Sequence, residues 1–154
     1  MVTVTEIVPL SVKFDPVVTV LVIFSCEFTV DKFSSLMPSL KNNLAAGFVV
    51  TCVGDNGKYH YKKSRRENTL PNRVIEHIFQ QNSYKGSKII DFFPWGSDER
   101  QYCSLGFDLP VGSLMRSMYG TYPEYHTSLD NRSFIDLNAM VNTLSTYMEA
   151  CSIL

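Results

Sequence analysis

Ala45-Ala46-Gly47-Phe48-Val49-Val50-Thr51-Cys52-Val53, followed at once by Gly54-Asp55-Asn56-Gly57, is the stretch on which the fold turns. A run this apolar, without period-two alternation, is what a strand covered on both faces requires, and Gly-Asp-Asn-Gly closes it with a tight loop. Covering both faces takes helices, so neighbouring segments should alternate strand and helix. Upstream, residues 17–24 read Val-Val-Thr-Val-Leu-Val-Ile-Phe. That run is far shorter than the about 20 residues a membrane-spanning helix needs, and its β-branching predicts a buried strand. Lys13 before it and Ser25-Cys26 after it look faintly like a signal peptide, but no basic segment or A-x-A cleavage site accompanies them. Between the two runs, Phe33, Leu36, Met37 and Leu40 fall at helical spacing over residues 30–40, with Pro38 shortening or kinking that helix.

Downstream, a short polar strand is expected over 59–63 and a helix over 73–81, with Val74, Ile75, Ile78 and Phe79 on one face and Pro71 near its first turn. Further strands are expected over 88–92 and 109–115. Ser133 opens a last helix with Phe134, Leu137, Val141, Leu144, Met148 and Cys151 along one side, and Ser133 with Asp136 loosely fits a capping box. Strands separated by helical stretches imply an α/β sheet with crossover helices, whose ligands bind outside the carboxyl ends of the strands. Residues 1–16, with two prolines and weak alternation, read as an edge strand or a loose arm.

The chain has 154 residues, 45% apolar and 19% charged, with a formal charge of -1. One domain with a real core fits that length. The charge balance gives no general attraction for nucleic acid or anionic lipid, so neither is expected as a partner. Cys26, Cys52, Cys103 and Cys151 are scattered without a C-x-x-C pair, which reads as buried, reduced thiols in a cytoplasmic protein.

Several residues could carry chemistry. His126, in Tyr125-His126-Thr127, offers a neutral imidazole that can ligate zinc while Asp130 or a carbonyl orients the other ring nitrogen; a hydrogen-bonded loop histidine is the plain alternative. Asp98 and Glu99, in a Gly-Ser-Asp-Glu-Arg loop after a strand, could hold a substrate ammonium or sit in a solvated turn. Asp55 follows the decisive strand, though Gly-Asp-Asn-Gly is also good turn chemistry. Lys62, Lys63, Arg65 and Arg66, interleaved with Tyr59 and Tyr61, suit a solvated face or a carboxylate-binding clamp. His60 and His77 read as surface histidines.

The succession Gly96-Ser97-Asp98-Glu99-Arg100-Gln101-Tyr102, Leu109-Pro110-Val111-Gly112-Ser113-Leu114 and Tyr125-His126-Thr127-Ser128-Leu129-Asp130-Asn131 resembles the C-terminal half of the zinc-dependent aminopeptidase family. Gly54-Asp55, Tyr61-Lys62-Lys63-Ser64-Arg65-Arg66 and Pro123-Glu124-Tyr125-His126 look like its bacterial aminopeptidase-like branch, and the likeness covers residues 44–154 well. The resemblance implies a three-layer α/β sandwich with a mixed, mostly parallel sheet flanked by helices, the zinc peptidase fold. It implies zinc as cofactor, a peptide or small amide as substrate, His126 and Asp55 as metal ligands and Glu27 as general base. Asp98, Glu99, Tyr125 and Asp130 would lie in the substrate-binding or supporting shell.

Three departures limit the likeness. Glu99 stands where the family usually has a histidine or another residue, Phe28 where many members have a second carboxylate, and Thr51 where a ligand aspartate falls by register. No histidine precedes His60. The expectation is therefore a single partial domain, truncated at its N-terminus and inactive alone, with an exposed sheet edge that invites self-association. A non-catalytic α/β binding or interaction domain is the alternative.

Overall fold

The computed structural model describes residues 7–10, 19–24 and 41–154, with side chains from residue 41 onward. The helix expected over 30–40, Cys26 and the candidate base Glu27 lie outside the described residues. Six strands form one sheet in the order β1-β2-β3-β6-β4-β5: β1 Ile7–Leu10, β2 Thr19–Phe24, β3 Leu44–Val50, β4 His60–Lys62, β5 Lys88–Ile90 and β6 Val111–Met115. Part of the arm expected over residues 1–16 is thus an edge strand, and Pro9 sits in it, where a missing ladder donor is tolerated.

Pairings β2/β3, β3/β6 and β4/β5 are parallel, while β1/β2 and β4/β6 are antiparallel. The sheet is therefore mixed and mostly parallel. Val50 pairs with Leu114 and His60 with Met115, so the carboxyl ends of β3 and β6 meet the amino end of β4 at one end of the sheet. The candidate site lies there.

Helix α1, Leu70–Phe79, supplies the crossover that the parallel pair β4/β5 needs. Its Val74, Ile75 and Ile78 pack with Phe48, Tyr61 and Leu114 in one core cluster. Short α2, Glu99–Tyr102, packs Tyr102 against Val49 and Val111 in a second cluster. The 59–63 segment is not a polar strand: Tyr61 and Lys62 are fully buried, because the central position of β4 covers both faces. Gly112 on β6 leaves room for the Tyr61 ring, which any Cβ there would meet.

Helix α3 runs Leu137–Ile153, and its N-cap is Asp136, whose carboxylate accepts the Ala139 N–H at 3.0 Å. Ser133 does not open it. The expected apolar side exists but faces away from the sheet: Leu137, Val141, Leu144 and Met148 are exposed. With Val50 and Val53, the first three of these wall an apolar groove of about 520 Å³. The buried side instead carries Ala139, Thr143, Thr146, Tyr147 and Ala150. Small residues let the helix backbone approach the sheet, and hydrogen bonds hold it there: the Tyr147 hydroxyl donates to Leu114 O at 2.5 Å, and Thr143 Oγ1 donates to Val53 O at 3.2 Å. Leu144→Ala is expected to cost under about 1 kcal/mol in urea unfolding and Tyr147→Ala about 3–5 kcal/mol. The reverse order would show that α3 turns its other side to the sheet. No helix among the described residues is long and apolar enough to cross a membrane.

Candidate functional site

Beyond β3 the chain turns sharply at Cys52, whose φ of 48° is left-handed, and enters the Gly54-Asp55-Asn56-Gly57 loop. Asp55 is buried. Its Oδ1 accepts the Gly57 N–H at 2.6 Å and the Ser117 hydroxyl at 2.6 Å, and its Oδ2 accepts the Ser117 N–H at 3.1 Å. The carboxylate thus ties the loop after β3 to the loop after β6. Arg116, between β6 and Ser117, donates its N–H to Cys52 O at 2.9 Å, which locks the same two strand ends together.

An aromatic series runs along this end from Phe93 through Trp95, Tyr119, Tyr125 and Tyr122 to Phe134, with neighbouring centroids 5.0–6.4 Å apart. His126 stacks on Tyr125 at 4.1 Å and, like Cys52, holds a left-handed φ, here 57°. A non-glycine residue in that region costs backbone strain, held here at Cys52 just past β3 and at His126 in the later turn. Burial, followed by the Cys52 thiol hydrogen-bonded to it, pushes the Tyr122 phenol well above its ordinary range. Tyr119 is pushed up by burial first and by Glu99 next.

Glu99 is neither a solvated turn nor a free anchor for a substrate ammonium. It is fully buried, and its Oε1 accepts from Lys62 Nζ at 2.7 Å. Lys62 Nζ also donates to Trp95 O at 2.7 Å and to the Tyr119 hydroxyl at 3.2 Å, and lies 3.7 Å from the Phe93 ring centroid. All three ammonium protons have acceptors. Desolvation lowers the Lys62 pKa, opposed by the bond to Glu99. The basic run is therefore a set of internal clamps: Lys63 pairs with Glu76 and Asp91, and Arg65 and Arg66 with Asp108.

The structure brings Asp55 and Ser117 together, and sets Tyr125 and His126 beside the aromatic series that reaches Glu99 through Tyr119. Asp98 is half-buried at the start of α2, and its carbonyl accepts the Gln101 N–H. Asp130 is exposed in the turn after His126, its N–H on Thr127 O, and among the described residues no hydrogen bond joins it to His126. Asn72, Arg116, Ser117 and Tyr119 are the residues that sequence reasoning passed over, and it named Lys62 only within a basic cluster read as a solvated face or a carboxylate-binding clamp. For Lys62 a signal existed, since a strand that alternates about a buried Tyr61 must bury its neighbours on the other face if that face is covered too.

Among the described residues no group of three or more His, Cys, Asp or Glu side chains lies close enough to hold a metal ion. His126 is exposed, and both Asp55 oxygens already accept hydrogen bonds. A zinc site with about three protein ligands is not met by these residues alone.

A family model described as a domain of unknown function, DUF4910, matches residues 30–154. A protein of Clostridium acetobutylicum, provisionally named a polysaccharide biosynthesis protein with an aminopeptidase-like domain, is 43% identical over 109 residues. That match covers 70% of this chain and 24% of the relative, so the chain spans about a quarter of the relative's length. A crystal structure of a provisionally named peptidase from Clostridium acetobutylicum superposes with a TM-score of 0.71 at 38% identity, over 77% of this chain and 28% of that one.

Proposed function

The chain belongs to the DUF4910 family, and from that premise we propose that it is an aminopeptidase-like hydrolase domain whose substrate is a peptide or small amide bond. The likeness to proteins named as peptidases supports the reaction class. The observation that carries the reading is the Tyr125-His126 turn, with its left-handed histidine, joined through Tyr122 to Cys52 just beyond the carboxyl end of β3, a region where α/β folds place their ligands. Zinc dependence belongs to the proposal. His126 would be one ligand, Asp55 a second only by giving up part of its loop bonds, and Glu27 the general base. The remaining ligands would have to come from outside the described residues, so the chain alone is expected not to turn over substrate.

The described residues still have definite tasks. Asp55 and Ser117 fix the two strand ends that carry the site, and Tyr125 holds the imidazole of His126 flat against its ring. Buried Lys62 and Glu99 hold the loop carrying Asp98 against the sheet. A second reading, a non-catalytic α/β binding domain, is favoured by one observation: Asp55 and Glu99 are each engaged within the protein, by Ser117 and Lys62.

Zinc added back to the chelator-treated chain, read by metal analysis with an aminoacyl p-nitroanilide assay alongside, tests this. The expected result is zinc well below one equivalent and no hydrolysis. Stoichiometric zinc that His126→Ala abolishes, with hydrolysis, would overturn the expected inactivity and establish the hydrolase. Stoichiometric zinc unaffected by His126→Ala would remove His126 from the site.

A further inference from the structure

On the other side of the Asn56-Gly57 loop lies a second cleft, of about 410 Å³, which none of the hydrolase residues lines. Its wall includes three cations, Lys58, Lys85 and Arg116, and no carboxylate; the rest is hydroxyl and amide groups with Tyr59 and Tyr84. Arg116 is buried, 9% exposed. Its guanidinium donates to Thr143 Oγ1 at 2.9 Å, Gly57 O at 3.1 Å, the Tyr59 hydroxyl at 3.0 Å and Ala139 O at 3.1 Å, and lies 4.4 Å from the Tyr59 ring centroid. Every one of these partners is neutral. No ion pair to Arg116 forms among the described residues. Asp136 is pulled below its usual range chiefly by the Ala139 N–H and least by the Arg116 charge.

A buried guanidinium held rigid by carbonyls and hydroxyls keeps its full charge without compensation, which is costly unless an anion reaches it. The fold aims two more cations at the same space. Lys58 lays its stem across Gly86, where φ is 91°, which sets it beside Lys85. Both lysines are exposed and neither forms an ion pair among the described residues.

We propose that this cleft binds a doubly charged oxyanion, a phosphate group carried by a small ligand, through Arg116, Lys58 and Lys85. Three cations favour a dianion over a carboxylate, since the nearest acids, Asp136 and Glu149, do not line the cleft and are bonded to its wall residues Asn56 and Tyr84; the ring of hydroxyls and amides supplies hydrogen bonds to the remaining oxygens and to the polar body the phosphate belongs to. This site is independent of the hydrolase reading and would stand if that reading fell.

Titration of the labelled chain with inorganic phosphate, methyl phosphate and acetate, followed by amide NMR shifts, tests it. Saturable binding of both phosphates is expected, with shifts at 56–59, 83–87 and 142–146, and with acetate at least tenfold weaker. Because Lys58 and Lys85 are exposed, Lys58→Ala/Lys85→Ala should fold normally, and it is expected to weaken phosphate at least tenfold. Shifts that do not saturate, that are indifferent to the double variant, or that acetate reproduces with equal affinity would each overturn the assignment.

Discussion

Glu99→Ala is expected to destabilise the protein by about 3–5 kcal/mol in urea unfolding, because it leaves the Lys62 ammonium buried without its counter-charge. The size of the loss follows from the geometry of the pair. Lys62 sits in β4 with its side chain enclosed by Trp95, Phe93 and Tyr119, so water cannot replace the lost carboxylate. The same reasoning makes Lys62→Met/Glu99→Leu much milder than either single change, since replacing both charges removes the desolvation cost along with the attraction. Glu99 Oε2 has no protein partner, so the two bonds at Oε1, from Lys62 Nζ at 2.7 Å and from the Tyr119 hydroxyl at 3.2 Å, carry the compensation. A loss under about 1 kcal/mol for Glu99→Ala would mean that solvent reaches the pair, and would return Glu99 to the substrate-binding role its loop position first implied.

Asn72→Ala is expected to cost about 3 kcal/mol or more, measured the same way. Its Oδ1 accepts from the Tyr61 hydroxyl at 2.9 Å and the Ser64 N–H at 3.0 Å, and its Nδ2 donates to Arg66 O and Glu67 O, both at 2.9 Å. One fully buried amide thus satisfies both ends of the loop between β4 and α1. Truncation strands the buried Tyr61 hydroxyl and Ser64 N–H and takes Glu67 O's partner, while Arg66 O keeps the Ser64 hydroxyl at 3.0 Å; each stranded buried group costs roughly 1–3 kcal/mol. Tyr61→Phe removes one of these bonds and no other, so it should account for about a third of the loss. A change at Asn72 no larger than at Tyr61 would show that the loop is held by something else.

The comparison of α3 with β3 shows where pattern reading works and where it stops. Residues 45–53 are apolar without interruption, and nothing but a strand covered on both faces accommodates that, so β3, its neighbour β2 and the α/β class were legible. In α3 the strongest apolar stripe, Leu137 to Met148, was also legible as a stripe, but not its direction. Hydrophobicity ranks sides of a helix by transfer free energy. The sheet selected the side with small residues and a tyrosine, because close approach and hydrogen bonds to the carbonyls at the ends of β3 and β6 were available only there.

The site divides in the same way. Tyr125-His126, Asp98 and Asp55 stand out by residue type and local order, whereas the burial of Lys62, the pairing of Glu99 and the neutral cage of Arg116 depend on residues 20 to 60 positions apart along the chain. The local sequence by itself determined the strands, the α1 crossover with its Pro71 start and the turn chemistry after β3, since these rest on periodicity and backbone preference within a few residues. Only the tertiary structure decided which charges are buried and which face of α3 is bare, because the free energy of a charge or an apolar side chain depends on what the rest of the chain places around it.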